Sequence, residues 1–189
     1  MHHTGAMPAP SVYVALLRGI NVGGRSTLPM AVLRRVAADC GFGSVATYIQ
    51  SGNLLFTATL GADAAAARLE EAIAAEGGPT PRVAVRSRAE LAAVVAGNPY
   101  VGRSTDDKQL HVAFLIQGAE QPSLDGIDLA RFAPDEVTVS GRETYLFLPN
   151  GIGRSKLAEA LGRLPAEATV RNWRTVTTML SRAEAITPD

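Results

Sequence analysis

The run SVYVALLR at 11–18 is apolar and β-rich, the pattern of a strand, and Gly19 bounds it. A glycine-rich loop, GINVGGRST, occupies 19–27. Met30, Leu33, Val36, Ala37 and Cys40 then recur at helical spacing. Pro29 suits the first helical position and Gly41 the stop. SVATYIQ (44–50) and LLFTA (54–58) flank Ser51-Gly52-Asn53, residues that tolerate unusual backbone angles, and so predict a hairpin. An Ala-rich helix follows around 62–76, with Leu69 and Ile73 on its apolar side, and RVAVR (82–86) predicts a closing strand. The order βαββαβ is that of the split βαβ, or ferredoxin-like, unit.

A short helix (88–96) leads into GNPYVGRSTDD (97–107), whose Pro, Gly and polar residues suit a linker. The pattern then restarts. LHVAFLIQ (110–117) reads as a strand and 124–132 as a short helix. EVTVS (136–140) and ETYLFLP (143–149) read as a hairpin, 154–163 as a helix, and about 172–184 as a last helix with Trp173, Val176 and Leu180 on one face. The hairpins YIQSGNLLF and VTVSGRETYLF look alike, which suggests an internal duplication. The expected fold is α+β: two tandem ferredoxin-like (split βαβ) sandwich halves with mostly antiparallel sheets. Residues 1–10 form a disordered lead-in, 11–96 the βαββαβ half with its linking helix, 97–107 the linker, and 108–189 a βαββα half with a terminal helix.

The 189 residues are 47% hydrophobic and 19% charged, enough to bury a core without disulfides or metal. Eighteen basic residues balance eighteen acidic ones, which argues against binding nucleic acid or anionic membrane by an overall field. Residues 141–182 are locally basic: Arg142, Arg154, Lys156, Arg163, Arg171, Arg174 and Arg182 stand against Glu143, Glu159 and Glu167. A solvated face explains such a stretch most simply. The single cysteine, Cys40, leaves no disulfide framework and fits a reducing cytoplasm. No apolar run approaches the ~18–20 residues of a membrane span, and the N-terminus lacks the apolar core of a signal peptide.

In the split βαβ topology the end of the first strand and the hairpin between the second and third share one sheet edge. This gathers Arg18, Gly19, Asn21, Gly23, Gly24 and Arg25 near Gln50, Ser51 and Asn53. Glycines let a ligand approach the backbone, successive N–H groups can cradle an anion, and the arginines supply charge. The plain alternative is that Gly and Asn only make tight turns. Gly19 to Ser26 fits a phosphate-binding P-loop with Arg for Lys, but Pro29 keeps Arg25 and Ser26 out of the helix. No strand ends in a magnesium-binding Asp, and the sheet is expected to be antiparallel.

Other motifs favour structural roles. His111 has no His or Cys partner nearby, and Cys40 reads as a small core residue. Asp106-Asp107 lack metal-ligand spacing. No G-x-S-x-G elbow occurs. Tyr48, Tyr145 and Phe147 could stack bases, but core use explains them. Asn172 is a good N-cap with Thr175 at the N3 position, and Arg171 beside it could reach an anion. No acid–base pair, metal site or cofactor site stands out, and no catalytic residue is nominated.

LLRGINVGG (16–24), TYIQSGNLLF (47–56), YLFLPNGIGRSKL (145–157) and TVRNWRTV (169–176) closely resemble the bacterial family catalogued as domain of unknown function 1697, over roughly residues 11–182. The resemblance implies a pair of α+β sandwich units and no established activity. Arg25 stands where many relatives carry Lys. The first expectation is therefore a small anionic ligand, phosphorylated ligands included, bound by Arg18, Gly19, Asn21, Gly23, Gly24, Arg25, Gln50, Ser51, Asn53, Arg171 and Asn172. The alternatives are a nucleic-acid-binding protein using the basic C-terminal third and a self-associating module.

Overall fold

The computed structural model describes residues 9–24, 26–165 and 167–188. Residues 1–8 of the expected lead-in lie outside that range. The chain runs β1 (Ser11–Leu17), α1 (Met30–Asp39), β2 (Gly43–Tyr48), β3 (Asn53–Ala58), α2 (Ala62–Ala75), β4 (Val83–Ser87) and α3 (Arg88–Ala96). It continues through β5 (Leu110–Leu115), β6 (Glu136–Ser140), β7 (Glu143–Phe147), α4 (Lys156–Gly162), β8 (Ala168–Asn172) and α5 (Trp173–Glu184). The protein is α+β, with two four-stranded antiparallel sheets and five α-helices among the described residues. The sheets have the same strand order, β2-β3-β1-β4 and β6-β7-β5-β8, so β3 lies between β1 and β2 as expected.

The near-continuous apolar run of β1 has a physical reason: both its faces are covered. Tyr13, Ala15 and Leu17 face Leu33 and Val36 of α1 and Leu69 and Ile73 of α2. Val12, Val14 and Leu16 point the other way, into a core shared with Val112 and Phe114 of β5, Leu91 and Val94 of α3, and Trp173, Val176 and Met179 of α5. Each large side chain so buried contributes about 1.5–3 kcal/mol. This second cluster joins the two sheets. The outer face of β5–β8 is covered more thinly, by Leu157 of α4 against Leu146 and Leu148.

Three expectations are corrected. Residues 124–132 do not form an α-helix; only a 3-10 turn, Leu129–Phe132, occurs there. The segment contains Gly126, at φ 83°, which breaks an α-helical path. The C-terminal half gains β8, which the sequence reading took only as an approach to the last helix. Pro29 is the N-cap of α1 rather than its first residue, with extended ψ of 137°. The 97–107 stretch is also more embedded than a bare linker. Tyr100 is buried, stacks on Phe147 and hydrogen-bonds Thr138 at 2.7 Å.

Candidate functional site

The three resemblance motifs that flank the candidate edge meet through hydrogen bonds. Leu17 N donates to Gly52 O at 2.9 Å, which fixes the end of β1 to the β2–β3 turn. Asn21 Nδ2 donates to Gln50 O (2.7 Å) and Leu28 O (2.9 Å), and its Oδ1 accepts from Leu28 N (2.8 Å). Asn21 thus closes loop 19–28 and ties it to the hairpin. Asn53, wholly buried, donates to Tyr48 O and Ser51 Oγ. Its Oδ1 accepts from Arg171 Nε at 2.7 Å.

Arg171 completes the junction. Its Nη2 donates to Leu17 O (2.8 Å) and Ser51 O (3.0 Å), and its Nη1 to Thr169 Oγ1 (2.7 Å) and Val170 O (2.9 Å). All five donors of the guanidinium are therefore used. Every acceptor is neutral. Burial lowers its pKa to about 10, because desolvation disfavours the charged form. The expectation that Arg171 reaches out to an anion gives way to a staple between β8 and the N-terminal sheet.

The sequence reading missed Arg86, the counterpart of Arg171. Val14 pairs with Arg86 as Val112 pairs with Arg171, and each arginine precedes an N-cap residue, Ser87 of α3 or Asn172 of α5. Arg86 is 2% exposed. Its Nη2 donates to Leu115 O (3.0 Å), its Nη1 to Val85 O and Gln117 Oε1, and its Nε to Glu143 Oε1 (2.7 Å). Leu115 stands three residues beyond Val112, as Leu17 does beyond Val14. Glu143 pairs with Phe114 as Asn53 pairs with Leu16. Each half therefore reaches into the other by the same device. Desolvation lowers the Arg86 pKa, against the opposing effect of Glu143. A signal was present in the sequence, as Val85-Arg86-Ser87 matches Val170-Arg171-Asn172.

Hydrogen bonds thus join Asn21, Gln50, Ser51, Asn53 and Arg171, and the expected residues fall into two sorts. Asn21, Asn53 and Arg171 are held by the protein itself, and Asn172 Oδ1 caps α5 by accepting from Thr175 N at 2.9 Å. Arg18, Gly19, Gly23, Gly24 and Gln50 are exposed, and Ser51 is half-buried. Arg25 lies outside the described residues. The backbone here is strained: Asn21, Ser26 and Ile49 have φ of 55°, 53° and 49°. Ile49, β-branched and 51% exposed, is the least expected of these, and Val22 is 66% exposed. The Arg18 side chain is 48% exposed and lies 4.0 Å from Glu167. Glu167 is held more closely by Arg82, at 2.8 Å.

Arg18 also stands at the rim of a cavity of about 150 Å3 over the outer face of the second sheet, between β5, β7, β8 and α4. Sequence periodicity carries no signal for it. The sheet aromatics serve the core: Tyr145 Oη donates to Val94 O at 3.0 Å, Phe147 stacks on Tyr100, and the Arg182 guanidinium lies over the Tyr48 ring. Asp106 caps a 3-10 turn by accepting from Lys108 N, and Asp107 lies 3.8 Å from Arg174. Among the described residues no three His, Cys, Asp or Glu side chains cluster as metal ligands, and no helix is long and apolar enough to cross a membrane.

A solved structure, the conserved bacterial protein SP0830 from Streptococcus pneumoniae, matches with a TM-score of 0.71 at 22% identity, over 93% of this chain and 99% of that one. That likeness is one of fold. No curated protein matches the chain. The family model described as "Protein of unknown function (DUF1697)" matches residues 11–145, short of the 11–182 suggested by the motifs but spanning both the loop and the first hairpin, and the chain belongs to that family.

Proposed function

We propose that the protein binds a small anionic ligand at the edge where loop 18–24 meets hairpin 49–53. The observation that carries this reading is the half-buried Arg171 guanidinium, a cation with only neutral acceptors, held on Leu17 O beside the loosely paired Arg18. Buried charges are ordinarily compensated, and an uncompensated one makes the nearby surface attractive to anions. Arg18 supplies the direct contact, Gln50 and Ser51 orient, and the exposed Gly19, Gly23 and Gly24 allow close approach. Asn21, Asn53, Arg171 and Asn172 hold this surface rather than touch the ligand.

The nucleic-acid reading is less favoured. It needs Arg142, Arg154, Lys156, Arg171 and Arg174 as one free basic patch. Arg171 is a staple, Arg142 donates to Gln117, Lys156 pairs with Glu159 and Arg174 lies beside Asp107. We also read the two sheets as a duplicated ferredoxin-like unit joined at 97–107, in a cytoplasmic protein. The equivalence of Arg86 and Arg171 supports the duplication.

Thermal-shift titration with inorganic phosphate and with acetate at low ionic strength tests the ligand reading. An anion-dependent rise in Tm that Arg18→Gln removes is expected. No shift with any anion up to tens of millimolar would overturn it.

A further inference from the structure

The two sheets differ in how their outer faces are covered. On the first, α1 and α2 close over β1, β3 and β4 completely. On the second, the residues that follow β5 form a 3-10 turn instead of a helix, and α4 has only seven residues. Small side chains widen the resulting gap, with Ala113 of β5 and Ala158 of α4 both lining it. Leu115, Leu146 and Leu161 make the walls apolar. An apolar space of this volume accommodates a ring the size of benzene.

Three polar side chains lie in this lining, Thr144 of β7 among them. Arg18 stands at the rim, with its Glu167 contact stretched to 4.0 Å. Gln121 is the second. Its Nε2 donates to Gly141 O at 2.6 Å and more distantly to Glu143 O, so two carbonyls fix which end of the amide is nitrogen. Its Oε1 is buried and has no partner. An orphaned buried acceptor is costly, and it is relieved by a donor brought in by a ligand. Apolar walls with a few convergent polar groups are the usual composition of a small-molecule site.

We infer that the cavity between α4 and the outer face of β5, β7 and β8 binds a small carboxylic acid with an aromatic or short branched tail. The tail fills the apolar slot, the carboxylate pairs with Arg18, and a hydroxyl or N–H on the tail donates to Gln121 Oε1. The inference rests on the anionic reading of Arg18 and adds a ligand class to it. A carboxylate in hydrogen-bonding contact with Arg18 would replace a weak ion pair with a strong charge-assisted one.

Calorimetric titration of the full chain with 4-hydroxyphenylacetate, phenylacetate, p-cresol and acetate separates the contributions. The hydroxy acid is expected to bind at least tenfold more tightly than p-cresol or acetate and several-fold more tightly than phenylacetate. Arg18→Gln should reduce its affinity to that of p-cresol. Gln121→Met should erase the preference over phenylacetate. Ala113→Phe should abolish binding while leaving Tm unchanged or higher, since it fills the cavity. In wild-type protein, the methyl resonances of Leu115 and Leu146 should shift on titration, a readout that needs no variant. Acetate binding as tightly as the hydroxy acid, with Ala113→Phe without effect, would overturn the slot and leave the anion reading standing. Equal binding of p-cresol would overturn the carboxylate requirement. No binding of any probe at millimolar concentration, or binding that leaves both methyl resonances unmoved, would overturn the inference.

Discussion

Arg86 and Arg171 do the same work in different electrostatic settings. Glu143, with 12% of its side chain exposed, neutralises the first, whereas the second has no carboxylate partner among the described residues. Removing Arg86 would leave a buried carboxylate, so Arg86→Met should destabilise by about 3–5 kcal/mol in urea unfolding. Arg171→Met leaves only neutral acceptors orphaned and should cost about 2–4 kcal/mol. Arg171→Lys should recover little, because an ammonium lacks the planar fork that reaches Leu17 O and Ser51 O together. His111 sets a pH dependence. Burial holds its imidazole below the usual 6.5, and its Nδ1 has no partner. The unfolded chain therefore takes up the proton at higher pH than the folded one. Stability is full above about pH 6.5 and is lost as the pH falls through the folded value. Urea titrations at pH 7.5 and 5.5 should show a smaller loss for His111→Gln than for wild type.

At the scale of elements, the β2–β3 turn is the tightest constraint. Gly52 has φ of 74°, and a Cβ there would lie 2.9 Å from Leu17 Cβ and 3.2 Å from Ile20 Cγ1. Gly52→Ala should therefore lower stability by about 2–3 kcal/mol, measured by denaturant midpoint, and loosen the Leu17–Gly52 bond. This turn was legible in the sequence because Ser51-Gly52-Asn53 interrupts two apolar runs. So were α1 and α2, whose buried positions follow helical spacing. The irregular 124–132 stretch was not, since its apolar residues mimic a short helix and Gly126 alone argues otherwise. β8 was hidden because Thr169 to Asn172 is short and continues directly into α5. The candidate edge was legible from topology. The employment of Asn21 and Asn53 as scaffold was not, because hydrogen bonds across long sequence separations leave no local pattern.

At the scale of the whole molecule, the two sheets share one core. Val14, Leu55, Phe114 and Trp173 belong to the same cluster, so neither sheet can lose its inner face without exposing the other. Unfolding should then be a single transition. Fluorescence of Trp173, the only tryptophan, should coincide with loss of far-UV circular dichroism, and separated midpoints would contradict this.

The reciprocal arginines also bear on what a break in the chain would do. Each half donates one guanidinium and offers the other half a set of acceptors, so neither can satisfy itself alone. A nick within 97–107 would leave two pieces that each hold one donor and one receptor of a matched pair. Fragment complementation is the behaviour such reciprocity supports, with reassembly in the native pairing favoured because Asn53 and Glu143 differ in charge.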